Sequence, residues 1–143
     1  MHQVAKTIQL NRAVRWLIPI AIIVLLVLNM PTRNSPTVNE ISASDAKDLI
    51  DAGAVVVDVR GREAYGRHHL PGALAIPLAE LRTAIPASLA FAKGKSIVVY
   101  CNDGVRTGPE GTQLLNQAGY GGAVNLKSGI EGWERAGYPV AKQ

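Results

Sequence analysis

SIVVYCNDGVRT, residues 96–107, changes character at a single point. Its first half is short, β-branched and apolar on both faces up to Tyr100, the pattern of a strand buried in a parallel sheet. Its second half is polar and carries Gly104, which predicts a tight loop. A helix is expected to begin near Gly108 and Pro109, because proline is tolerated in a first helical turn, where its missing N–H has no bond to lose. Toward the N-terminus, AVVVDV at 54–59 repeats the buried-strand pattern, and 73–76 and 123–126 are weaker strand candidates. Helical candidates fall between the strands at 63–65, 78–84, 110–118 and 130–136. One more, at 46–51, is opened by Ser42 with Asp45 three residues on, the pattern of a capping box, and is stopped by Gly53. Strands alternating with helices predict an α/β domain around a parallel sheet. Ligands of such sheets sit beyond the carboxyl ends of the strands, the place Cys101 occupies.

Cys101 is the single cysteine, so it forms no disulfide within the chain and supplies no zinc cluster; it is either a small buried hydrophobe or a reactive thiol. The loop decides what it is expected to do. A loop curled over a helix N-terminus turns several amides inward and, with the positive helix end, favours an anion. A cysteine at its root is expected as the thiolate, the nucleophilic form. Arg106 adds a permanent cation at the far end of the loop.

This strand–cysteine–loop–arginine–helix order resembles the active-site loop of the rhodanese family. DVRGREAYGRHHLPGA at 58–73 is similar to the family's first signature, an Asp-x-Arg followed by Gly-His-Ile-Pro-Gly-Ala. NLKSGIEGWERAGYPV at 125–140 resembles its C-terminal signature, Gly-Ile-x-x-Trp and a final Gly-x-Pro-Val. The three signatures occur in the family's order and cover about residues 38–142. The resemblance implies a three-layer α/β fold, with a five-stranded parallel sheet flanked by helices. It implies a sulfurtransferase whose Cys101 takes a sulfane sulfur from a donor such as thiosulfate, holds it as a persulfide and yields it to cyanide or a thiol. It further implies that the amides of Asn102, Asp103, Gly104, Val105 and Arg106 cradle the persulfide and leaving anion, that Arg106 binds the anionic donor, and that Thr107 stands where the family often has serine. Related phosphatase loops place five residues between cysteine and arginine; four intervene here, a tighter ring that suits one sulfur atom better than phosphate.

Asp103 puts a carboxylate inside the loop, which either opposes thiosulfate and favours a neutral or cationic acceptor, or points to water. Gly111 and Pro109 make the helix after the loop a poor one in propensity terms. Asp58 and Arg60 are expected as a structural ion pair, His69 as a hydrogen-bonded structural residue beside a solvated His68, and Trp133 as core; Lys127 stands where it can face the pocket. Competing readings are a non-catalytic membrane-tethered module and a thiol relay, which with one cysteine needs a protein partner to resolve its mixed disulfide. Retention of cysteine and arginine at the proper spacing favours catalysis.

The remaining sequence reads as an N-terminal appendage. Residues 16–32 carry no charge and centre on WLIPIAIIVLLVL, while Lys6, Arg12 and Arg15 precede them without an acidic residue. A hydrophobic helix of that length spans roughly 25 Å, at the lower limit for a bilayer. The expected organisation is a basic cytoplasmic flank at 1–15, a transmembrane anchor or export signal at 16–32, a polar linker at 33–40 and the domain at 41–143. No Ala-x-Ala site follows the apolar run, which favours an uncleaved anchor with the domain outside the cytoplasm, on the periplasmic side in a Gram-negative cell. The formal charge of +4 is mild and forms no basic stripe, so nucleic acid is not an expected partner. With His2, His68 and His69 too few for a histidine-built metal site, neither a metal nor a cofactor is expected.

Overall fold

The computed structural model describes residues 19–25 and 37–143. Residues 37–143 belong to one compact unit. Within it the elements run β1 (Glu40–Ile41), α1 (Ala43–Asp51), β2 (Val55–Asp58), α2 (Arg62–Arg67), β3 (Leu74–Ala75), α3 (Leu78–Thr83), a 3-10 turn (Ala87–Ala92), β4 (Ile97–Tyr100), α4 (Thr107–Gln117), β5 (Ala123–Leu126) and α5 (Gly129–Arg135). The five strands form one parallel sheet in the order β1-β5-β4-β2-β3. The two strongest strand candidates lie side by side near its centre, with Val57 opposite Val99 and Asp58 opposite Tyr100.

Both faces of the sheet are covered, which explains why its central strands lack polar alternation. On one face Val57, Val59, Ile97 and Val99 pack with Leu78 and Leu81 of α3, Leu89 and Ala92 of the 3-10 turn, and Leu115 of α4. On the other, Val56, Val98, Tyr100 and Leu126 pack with Ala46 of α1, Ile130 and Trp133 of α5, and Tyr65 of α2. Trp133 is core, and its indole N–H donates to Pro139 O at 2.8 Å.

The local signals act as expected with small shifts of boundary. Ser42 caps α1 by accepting from the Asp45 amide at 3.1 Å, and its hydroxyl donates to the Asp45 carboxylate at 2.7 Å. The polar linker at 33–40 ends earlier than expected. Glu40 pairs with Asn125 in β1, and Asn39 O accepts from the Asn125 amide at 2.8 Å. A two-residue edge strand has no periodicity to read, and only the free edge of β5 decides that it forms. The 3-10 turn was likewise not anticipated, since ASLAFA offers neither a full helical stripe nor a cap.

The apparent helix-breaking glycine of α4 has a packing reason. A Cβ on Gly111 would stand 2.8 Å from Val59 Cγ1, so the missing side chain lets α4 approach the end of β2. The expected N-terminal flank and most of the hydrophobic helix at 16–32 lie outside the described residues. Residues 19–25 are helical with exposed side chains, and among the described residues no helix is long and apolar enough to cross a membrane.

Candidate active site

The backbone leaves the sheet at Cys101, turns through residues 102–106 and enters α4 at Thr107. Three elements clamp this loop. At the end of β5, Gly104 takes φ +76° and lies so close that a Cβ would meet Lys127 O at 2.3 Å, so the position requires glycine on both counts. At the start of α5, the amides of Ile130 and Glu131 donate to Cys101 O and Asn102 O at 2.9 and 3.0 Å. Gly129, at φ +54°, permits that approach, because a side chain there would strike Asn102 O. At the start of α4, Gly108 presses on both Asn125 and the Cys101 sulfur.

A buried polar network supports the root of the loop. Asp58 and Arg60 form a bidentate pair at 2.7–3.1 Å with side chains 0% and 3% exposed. Arg60 also donates to His68 O at 2.7 Å and to Asn102 Oδ1 at 3.4 Å, and its guanidinium lies 5.4 Å from the Tyr100 ring centre. Burial opposes the Arg60 charge, but the bonded Asp58 carboxylate outweighs that and holds the guanidinium above its ordinary range. Tyr100 donates to Asp58 Oδ2 at 2.7 Å and accepts from the Leu70 amide; burial, then the neighbouring carboxylate, pushes its phenol far above the usual value. The pair expected to be structural is therefore structural, and it also ties the loop at Asn102 to β2. His69 stacks on Tyr65 at 3.9 Å and its Nδ1 lies 3.0 Å from Tyr65 O, a bond that places the proton on that nitrogen. His68 sits 3.6 Å from Glu134.

The sulfur itself is 1% exposed as part of Cys101, at the margin of the first core cluster. It accepts from the Gly104 amide at 3.2 Å and lies 3.6 Å from Asp103 Oδ1, a gap that a thiol proton bridges. The expected ring of several amides on sulfur is thus reduced to one in this state. The Val105 amide donates instead to Asp103 Oδ1 at 3.0 Å, and this bond, more than any other cause, holds the Asp103 carboxyl below its ordinary range. Asp103 is exposed to water, yet its Oδ1 stands beside the sulfur and takes the Val105 amide. Its carboxylate thus engages one of the loop amides expected to face an anion, geometry that spacing alone does not reveal.

Asn102, Val105, Arg106 and Thr107 are exposed around the loop rim. The Arg106 side chain makes no hydrogen bond or ion pair among the described residues, and its charge contributes to lowering Asp103. Lys127 is exposed, with its carbonyl beneath Gly104. One residue near the sulfur had escaped notice. Asn125, fully buried in β5, donates through Nδ2 to Gly104 O and to Glu40 Oε1, each at 2.9 Å. A lone polar residue in the strand run AVNL was its only sequence signal.

Comparison with known proteins gives this geometry a lineage. The rhodanese-like domain family matches residues 42–136, most of the folded unit. A sulfurtransferase of Allochromatium vinosum is 35% identical over 106 residues, covering 72% of this chain and 94% of that protein. A human thiosulfate:glutathione sulfurtransferase is 33% identical over 111 residues, covering 69% and 93%. The chain spans about half (47%) of an uncharacterized Synechocystis relative, 35% identical over 88 residues. Among solved structures, a rhodanese-related protein of Thermoplasma volcanium superimposes with a TM-score of 0.63 at 28% identity, covering 73% of this chain and 99% of its own. With the three signatures folded around one cysteine loop at the carboxyl edge of a five-stranded parallel sheet, the chain belongs to the rhodanese-like domain family.

Proposed function

We propose that this protein is a sulfurtransferase that moves a sulfane sulfur from a thiosulfate-like donor to a thiol or cyanide through a persulfide on Cys101. The observation that carries this reading is the Gly104 amide directed at Sγ from 3.2 Å, on a glycine whose conformation no other residue readily adopts. A donor fixed at the sulfur stabilises the negative charge that returns to it when the persulfide is discharged. Relatives that carry sulfurtransferase names and cover the domain nearly end to end support the reading.

In the first step the Cys101 thiolate attacks the outer sulfur of the donor. A sulfur–sulfur bond forms at Cys101 as the donor's own sulfur–sulfur bond breaks, and sulfite leaves with the electron pair. In the second step the acceptor thiolate or cyanide attacks the terminal persulfide sulfur, and the Cys101 thiolate is regenerated. Arg106 on the rim, uncommitted to any partner among the described residues, attracts the anionic donor. Asn102, Asp103, Gly104, Val105 and Thr107 form the wall that receives the donor. The uncharged segment 16–32 with its basic flank, in this reading, holds the domain to the outer face of the cytoplasmic membrane.

The test is a mass measurement. Incubated with thiosulfate, the protein is expected to gain one sulfur atom, which cyanide removes as thiocyanate. A Cys101→Ser variant that still turns over, or a wild-type protein that gains nothing from any of several sulfur donors, removes this reading. Arg106→Ala is expected to raise the thiosulfate KM with the fold intact, and unchanged kinetics would deny Arg106 the anion-binding role.

A further inference from the structure

We propose that Asn125 is a positioning residue that fixes the Gly104 peptide so that its N–H meets the Cys101 sulfur, and that Glu40 on the edge strand holds Asn125 in place. The inference rests on the reading of Cys101 as the reacting atom and adds the device that aims its hydrogen-bond donor.

The two acceptors of Asn125 decide its orientation. Gly104 O and the Glu40 carboxylate only accept, so the side-chain NH2 must face them and Oδ1 must face away. Oδ1 is then buried without a hydrogen-bond partner. It lies 2.3 Å from where a Cβ on Gly108 would stand, and Cys101 Sγ lies 3.3 Å from the same point. The amide thus fills the space between β5 and the first turn of α4, directly behind the sulfur. Leaving a buried carbonyl unpaired costs about 1–3 kcal/mol. The other fully buried positions of β5, Ala123 and Leu126, are apolar, so packing alone gives no reason for an amide here.

What the amide does is hold Gly104. That residue is the one whose N–H reaches sulfur, and its positive φ puts its carbonyl on the opposite side, toward β5. A hydrogen bond to that carbonyl sets the rotation of the peptide and, through one residue, the direction of the N–H. Without it Gly104 retains its close approach to Lys127 O but loses the polar contact that selects one orientation. Glu40 supplies the second anchor from an exposed position, so its removal perturbs the amide without disturbing the core.

The test exploits the single cysteine, since alkylation of the intact protein by iodoacetamide reports Cys101 alone. Rates are measured against pH for the full chain and for Asn125→Leu, Glu40→Ala and Glu40→Gln, with thermal unfolding of each. Asn125→Leu keeps the side chain's shape and adds no charge. It is expected to move the midpoint of the pH profile upward and to slow alkylation near neutrality by at least about threefold. Glu40→Ala is expected to shift the profile the same way by less, and Glu40→Gln, which retains an acceptor oxygen, to restore it. A folded Asn125→Leu with the wild-type profile overturns the proposal. If Asn125→Leu does not fold, the Glu40 pair decides, and a wild-type profile for Glu40→Ala overturns it. Alkylation needs neither sulfur donor nor acceptor, so this result stands apart from whether the protein forms a persulfide. In thiosulfate turnover the same variants are expected to lower kcat and leave KM unchanged, because the rim guanidinium of Arg106 is untouched.

Discussion

In the proposed reaction an anionic donor approaches Cys101 beside the Asp103 carboxylate, and replacing that carboxylate measures how strongly it opposes such donors. Asp103→Asn is the informative change. The amide oxygen still accepts from the Val105 N–H, so the turn is preserved while the charge is removed. Oδ1 is 3.6 Å from Sγ, so the sulfonate end of a donor bonding to that sulfur lies at about 5 Å from the carboxylate. A unit charge and a dianion at about 5 Å repel by roughly 1.7 kcal/mol in a medium near the dielectric constant of water, the appropriate limit for an exposed side chain. Screening at about 0.15 M salt halves this to about 0.9 kcal/mol, or roughly four- to fivefold in rate. Steady-state assays are therefore expected to show kcat/KM for thiosulfate rising about fivefold in the variant, and closer to tenfold at about 0.01 M salt, where screening is weak. An uncharged persulfide donor is expected to show no such gain. A variant whose kcat/KM for thiosulfate is unchanged at low salt refutes the electrostatic argument, and one whose value falls shows that the carboxylate aids the reaction.

Three further expectations concern the scaffold. Gly111→Ala trades about 1 kcal/mol of helix propensity against overpacking on Val59 that costs about 1–3 kcal/mol. The variant is expected to melt lower than wild type, whereas the same change in a Val59→Ala background is expected to raise the melting temperature; equal effects in both backgrounds would rule out the contact. Asp58→Ala strands the buried Arg60 guanidinium and is expected to cost about 3–5 kcal/mol in urea unfolding, with a value under about 1 kcal/mol showing that the network contributes little. Arg82 bonds Glu110 at 2.7 and 2.8 Å and holds that carboxyl below the usual carboxylate range. A folded-state value lowered in this way stabilises above the unfolded value and fades as pH falls through the folded one. The small melting-temperature gap between wild type and Glu110→Gln is thus expected to be constant above about pH 5 and to close on acidification; a gap that widens there would reverse the sign of the linkage.

The sequence by itself determined the class of fold and singled out the cysteine on which the proposed chemistry rests. AVVVDV and IVVY carry no polar alternation, and only a strand covered on both faces tolerates that, so a parallel sheet between two helical layers followed. Cysteine directly after such a strand, before a glycine-bearing loop and a helix start, placed it at the ligand-binding edge. These features are legible because they are local, set by periodicity, φ and capping within a few residues. Tertiary structure decided what depends on distant segments meeting. Glu40 is a strand residue only because β5 offers a free edge, and Gly111 is tolerated in a helix only because Val59 crosses beneath it. Asn125 is 21 residues from Gly104 and 85 from Glu40. A hydrogen bond made across such separations leaves no periodic trace in the chain, so its partners emerge only once the sheet order brings β1 and β5 together behind the cysteine loop.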